Sequence, residues 1–240
     1  MSDDESVFST LRKTIIGKSA DEQAEALKQT AMEDPASIDE GDINALIELL
    51  SEVDPDVVTD ALHALSAVAS DQPDLVTKAT PNIVGDLANR PPTEWSDTPI
   101  RDMSDEFMQD LTRGEILLEL AKDDPAYLDP VVDDLVKKFE KSDALEPASY
   151  LALAHVVADQ SGQTGLSRDP FVDWVSSELT HLVSNEDEVF NIQLAETTLF
   201  VNLLGELGGD KARETLQQVR NESDDEEVRR VATEAIGDLA

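Results

Sequence analysis

The chain has 240 residues, 40% of them hydrophobic, so it is long enough and apolar enough to fold around a core. Its 53 acidic and 18 basic residues give a formal net charge of -35. Such a surface disfavours direct nucleic-acid binding, which needs basic groups to neutralise phosphates. No run approaches the roughly 18 apolar residues of a membrane span, and the first residues, MSDDES, lack a secretory signal, so we expect a soluble cytoplasmic protein. The absence of cysteine excludes disulfides, thiolate metal sites and a cysteine nucleophile.

Apolar residues keep helical spacing along almost the entire chain, and no alternating pattern typical of a β-strand is present. Ser19 is a predicted helix start, because Glu22 completes a capping box three residues later. Several later starts carry Asp-Pro or Glu-Pro, where the acid accepts unpaired N–H groups and proline fits the first helical position. About twelve helices are predicted, at 4–16, from Ser19 onward, and at 42–51, 55–70, 74–88, 103–122, 126–141, 147–160, 170–184, 188–207, 210–221 and 226–239.

Two predicted helices have similar sequences, DPDVVTDALHALSAVA at 54–69 and DEEVRRVATEAIGDLA at 225–240. The identical positions are Asp54/Asp225, Val57/Val228, Ala61/Ala232, Ala64/Ala235 and Ala69/Ala240. The shared apolar residues fall at steps of three and four, on one helix face, and the alanines allow another helix to approach closely. The repeat therefore preserves a packing surface and no catalytic group.

The helix pairs at 43–69 and 212–240 resemble HEAT repeats of the type also called PBS-lyase HEAT-like repeats. That pattern is L-x-x-L-L, an Asp-rich turn, then V-R-x-x-A-x-x-A-L-G, which the second pair matches from Val228 to Gly237. The first pair departs where Val58 replaces the arginine and Ser66 the glycine. The resemblance implies an all-α, HEAT-like α-solenoid of helices stacked as antiparallel hairpins. A four-helix bundle or another irregular all-α fold is the alternative.

Two long breaks interrupt the helices, at 89–102 and at 160–169. We predict one solenoid over 1–240; alternatively, the first break divides it into 1–89 and 103–240, joined by the proline-rich loop 90–102. Tryptophan and arginine are favoured at interface hot spots, so Arg90, Trp95 and Arg101 in this loop form the predicted protein-binding site. The alternative for Trp95 is that it covers a gap between repeats.

Acidic residues are spread over every predicted helix, as in cytoplasmic proteins of halophilic archaea, which this composition resembles. At 1 M salt the Debye length is about 3 Å, so the mutual repulsion of such a surface is largely screened. Nucleic-acid mimicry or a patch for a basic partner would predict stronger clustering of the acidic residues.

Catalytic patterns fail when they are tested one by one. The sequence GKS at 17–19 ends like a phosphate-binding loop, but Arg12 stands where the first glycine is needed. Asp60 and His63, and likewise Glu178 and His181, have the spacing of a metal-binding carboxylate and imidazole, but we interpret each pair as a local surface interaction. The His-Glu dipeptides of deoxyhypusine hydroxylases, which are HEAT-repeat enzymes, are missing. We therefore predict no catalytic residue, no cofactor and no metal site.

The function that remains is a non-enzymatic scaffold or adaptor that binds protein partners in a halophile cytoplasm, with no nucleic acid, membrane or small-molecule substrate. A lyase-like or metal-dependent HEAT-repeat enzyme is one alternative. A structural subunit of a larger complex is the other.

Overall fold

A computed structural model describes residues 19–87, 104–142, 147–159, 164–184 and 192–239. Within these ranges every regular element is helical, and no strand is present. The α-helices, in chain order, are α1 (Ala20–Glu33), α2 (Glu40–Leu49), α3 (Pro55–Ala69), α4 (Pro73–Val76), α5 (Thr80–Asp86), α6 (Asp105–Asp123), α7 (Val132–Ser142), α8 (Pro147–Asp159), α9 (Asp169–Ser184), α10 (Ile192–Leu207), α11 (Asp210–Glu222) and α12 (Glu226–Asp238). Short 3-10 helices lie at Pro35–Ser37, Thr77–Ala79 and Pro125–Leu128. The helix predicted at 4–16 lies outside the described residues.

Three predicted helix starts, at Ser19, Asp54 and Asp225, are confirmed by their hydrogen bonds. Ser19 Oγ accepts from the Glu22 amide at 3.3 Å, and the Glu22 carboxylate accepts from the Ser19 amide at 3.3 Å. Asp54 accepts from the Asp56 amide at 3.1 Å, and Asp225 accepts from the Glu227 amide at 2.7 Å. These acids satisfy amides that have no partner inside the helix.

Two predicted helices are wrong in their extent, because each runs across a proline. In place of one helix at 74–88, α4 ends at Val76, a 3-10 turn follows, and Pro81 lies in the first turn of α5. In place of one helix at 126–141, a 3-10 helix ends at Leu128 and α7 begins only at Val132, beyond Pro130. Proline has no amide hydrogen to donate, so an apolar period alone cannot carry a helix across it.

The chain divides into two compact units, Met1–Ala152 and Leu153–Ala240, and the boundary falls within α8. The subdivision predicted from the sequence, at the proline-rich loop 90–102, rests on residues outside the described ranges. It therefore stays a prediction.

In the first unit the helices form two layers. Helix α3 lies between α1 and α6 in one layer, and α2 packs against α3 from the other layer. In that second layer, α2 contacts α4, and α5 contacts α7. The turns are tied together as well, since Gln72 Nε2 donates to the carbonyl oxygens of Pro35 at 2.7 Å and Ile38 at 3.2 Å. Each added pair of helices therefore packs on the previous pair, as expected of stacked repeats.

The second unit repeats this arrangement. Helix α10 packs against α12, α9 packs against α11, and neighbouring helices in the chain pack on each other. Between α10 and α12 the backbones come close: a Cβ atom added to Gly205 would lie 3.0 Å from the Cβ of Ala235. Ala232 and Ala235 are buried, as are Ala61 and Ala64 in the first unit. The prediction that these alanines lie in helix contacts is confirmed.

Arg168 fixes the connection between α8 and α9. Its guanidinium donates to the Ala158 carbonyl oxygen at 2.6 Å and to the Leu207 carbonyl oxygen at 2.9 Å. These carbonyls belong to the last turns of α8 and α10, where unpaired acceptors and the helix dipole both favour a cation. Arg168, which lies in the second break at 160–169, thus has a structural role.

Candidate protein-binding face

The predicted site residues Arg90, Trp95 and Arg101 all lie outside the described residues. Their role in binding stays a prediction. The described part of the first unit presents a different candidate surface, on the layer formed by α1, α3 and α6.

Helices α3 and α6 each expose one narrow stripe of side chains, and the two stripes are neighbours. On each helix the exposed and half-exposed residues recur at steps of three and four, which places them on one side. We call this surface the α3–α6 face, and its residues are Asp56, Thr59, Asp60, His63, Ser66, Ala67 and Ser70 of α3 and the residue after it, and Met108, Leu111, Glu115, Leu118, Glu119 and Lys122 of α6.

Side-chain hydrogen bonds join the two helices at both ends of the face. At one end, Gln109 Nε2 donates to the Pro55 carbonyl oxygen at 3.0 Å and to Thr59 Oγ1 at 3.1 Å. At the other end, Ser70 Oγ donates to Glu119 Oε1 at 3.4 Å. Residue numbers rise in the same direction on both helices, so α3 and α6 run parallel. The hydrogen bonds therefore connect the two helices of the face near both of its ends.

The lysines at this face are already engaged. Lys28 of α1 reaches across to Asp60 with an Nζ–Oδ1 distance of 2.5 Å. Lys122 binds Glu119 with an Nζ–Oε2 distance of 2.8 Å. Two of the carboxylates thus have cationic partners from within the unit.

Glu115, in the middle of the face, has no such partner. Among the described residues no lysine or arginine lies within salt-bridge distance of it, and His63 of α3 is the nearby titratable group. Burial raises the pKa of the Glu115 carboxyl, and the electrostatic attraction of His63 offsets only part of that rise. Glu115 is thus an exposed carboxylate with a raised pKa and no cationic partner among the described residues.

Apolar side chains flank Glu115 along α6. Leu111 precedes it by four residues and Leu118 follows it by three, so both lie beside it on the helix surface. Both leucines are half-buried, and Met108, one turn further, is 36% exposed. Across from them α3 contributes the small side chains of Ser66 and Ala67. The centre of the face thus combines one carboxylate with an apolar border.

The histidines have partners that local sequence spacing did not indicate. Asp60 binds Lys28 of α1, and His63 acts electrostatically on Glu115 of the next helix, where it lowers the pKa of the carboxyl. The interpretation of Asp60 and His63 as a local surface pair stays a prediction. In the second unit, His155 is buried, and its Nδ1 lies 3.2 Å from Glu206 Oε2. Over the residues that the structure describes, no group of three or more histidine, aspartate or glutamate side chains is arranged to hold a metal ion.

Comparisons with known proteins give the fold class. No protein-family model matches the sequence, and no curated protein is similar to it. Among solved structures, an engineered protein superposes with a TM-score of 0.58 at 20% identity over 100% of this chain and 97% of that chain. A designed armadillo repeat protein superposes with a TM-score of 0.56 at 14% identity over 97% of this chain and 100% of that chain. None of the helices in the described ranges is long and apolar enough to cross a membrane. The fold is an all-α solenoid of stacked helical repeats.

Proposed function

We propose that this protein is a non-enzymatic scaffold or adaptor that binds other proteins through its helical repeats. The observation that supports this most directly is the α3–α6 face. There, side chains that helix packing does not require form an exposed surface on which neither Asp56 nor Glu115 has a cationic partner among the described residues. Stacked repeats generally offer such extended binding surfaces, because each repeat contacts only its neighbours and leaves its outer side chains available.

The repeats are proposed to be HEAT-like, of the PBS-lyase HEAT-like type. In the C-terminal copy, the arginine of the V-R-x-x-A pattern is Arg229, whose Nη1 donates to the carbonyl oxygens of Ser223 at 2.8 Å and Asp224 at 3.0 Å. This arginine therefore holds the turn that precedes its own helix. Such a local role gives a physical reason for its place in the pattern.

The chain is proposed to work in the cytoplasm of a halophilic archaeon. Support comes from the net charge of -35 and from its spread over the helices of both units. Salt at molar concentration screens the repulsion among these carboxylates, while the carboxylates keep the surface hydrated.

The loop residues Arg90, Trp95 and Arg101 are proposed to contribute to a partner site. A proline-rich segment has restricted backbone freedom, which lowers the entropy cost of docking. Tryptophan supplies a large apolar contact area that does not depend on charge, so it stays effective in concentrated salt.

Affinity capture at multimolar KCl with the full-length chain tests this function. We expect capture of a defined protein partner that binds again as a purified component. In that reconstituted complex, Trp95→Ala should weaken binding at least about tenfold, or about 1.4 kcal/mol, and leave the Tm nearly unchanged. Loss of stability with unchanged binding would make Trp95 a packing residue.

The two alternative functions, a metal-dependent enzyme and a structural subunit, predict different results with the same purified full-length protein. An enzyme of the metal-dependent class would retain bound iron or zinc after incubation and dialysis. A structural subunit would be found by native mass spectrometry in a complex of fixed stoichiometry, with little free chain.

A further inference from the structure

We draw no further inference here: the strongest candidate, the buried side-chain cluster of the second unit in which His155 Nδ1 of α8 lies 3.2 Å from Glu206 Oε2 of α10 while His155 Nε2 has no hydrogen-bond partner, is a single contact between two helices that identifies neither a ligand nor a partner, and no third histidine, aspartate or glutamate of the described residues joins it to form a metal site.

Discussion

Helices α3 and α12 carry the repeated sequence, and their surroundings differ. Both keep the shared face buried, with Val57 and Ala61 in α3 matching Val228 and Ala232 in α12. Helix α3 has α1 on one side and α6 on the other, whereas α12 packs against α10 and α11. The common residues thus specify one packing face, while the residues that differ set how many neighbours the helix has.

The differing positions show this directly. Leu62 of α3 is fully buried, and its counterpart in α12, Thr233, is exposed. On the exposed side of α12, Arg230 binds Glu227 at 2.5 Å and Glu234 at 2.6 Å. On α12, Arg230 thus pairs with acids of its own helix, whereas no lysine or arginine of the described residues lies within salt-bridge distance of Glu115 on the α3–α6 face.

The largest expected effect concerns salt, and it should not distinguish the two helices. Acidic residues cover both units, so lowering KCl from molar to tens of millimolar lengthens the screening distance and should loosen or unfold the helices of both. Circular dichroism melts at each salt concentration measure this. A melting curve that stays unchanged over the range would remove the halophile proposal.

Exchanging Leu62 of α3 and Thr233 of α12 tests whether the residues that differ between the two helices reflect the number of helices packed against each. Leu62→Thr should cost about 3 kcal/mol, because it leaves a cavity and buries a hydroxyl between packed helices. The reverse change, Thr233→Leu, should stay within about 0.5 kcal/mol, because that side of α12 is exposed. Urea unfolding of both variants gives the two values. Similar losses in the free energy of unfolding at the two sites would contradict the burial of Leu62 and the exposure of Thr233.

The shared face should respond alike in both helices. Ala61→Leu and Ala232→Leu each add volume at a fully buried site, so each should cost about 1 to 3 kcal/mol through overpacking. The same urea titration applies, with Ala67→Leu as the half-exposed control on α3. Neutral results at both buried alanines would mean that the stacked-helix packing is wrong.

The smallest effect concerns two glutamates whose pKa values move in opposite directions. Burial raises the pKa of the Glu115 carboxyl in the folded protein. The protonated carboxyl therefore favours folding below the pKa of the unfolded chain, about 4.3, and this stabilisation is lost as pH rises through the folded pKa. Glu115→Gln should therefore be more stable than wild type at neutral pH, by less than about 0.5 kcal/mol, and this gain should vanish in acid.

Glu227 provides the control with the opposite sign. The hydrogen bond from Arg230 lowers the pKa of the Glu227 carboxyl in the folded protein. The ionised carboxylate therefore stabilises the fold above the pKa of the unfolded chain, and this stabilisation is lost as pH falls through the folded pKa. Glu227→Gln should thus be less stable than wild type at neutral pH. Thermal melts at several pH values between about 3 and 7 measure both variants. Shifts of the same sign would contradict the assigned environments.

Local chemistry made the helix starts predictable from sequence. Ser19, Asp54 and Asp225 each act on amides two or three residues away, so the signal lies within one turn. The prolines at 81 and 130 are equally local signals, and they interrupt helices even though the apolar period continues across them. The all-α class followed from the same period.

The candidate face could not be predicted in this way, because it depends on which helices become neighbours. Lys28 and Asp60 are 32 residues apart, and His155 and Glu206 are 51 apart. No short pattern connects such pairs. Within α6 the period does mark Leu111, Glu115 and Leu118 as one stripe, but only the fold brings His63 of α3 near enough to influence the Glu115 carboxyl.

Arg168 has a consequence for the order in which the second unit assembles during synthesis. Its two carbonyl acceptors lie 10 and 39 residues away, at Ala158 and Leu207. The nearer acceptor is already made when Arg168 emerges, whereas the farther one follows only after α9 and α10 have been translated. Until then only the Ala158 acceptor is present, so the connection before α9 reaches its final hydrogen bonding only once α10 is complete.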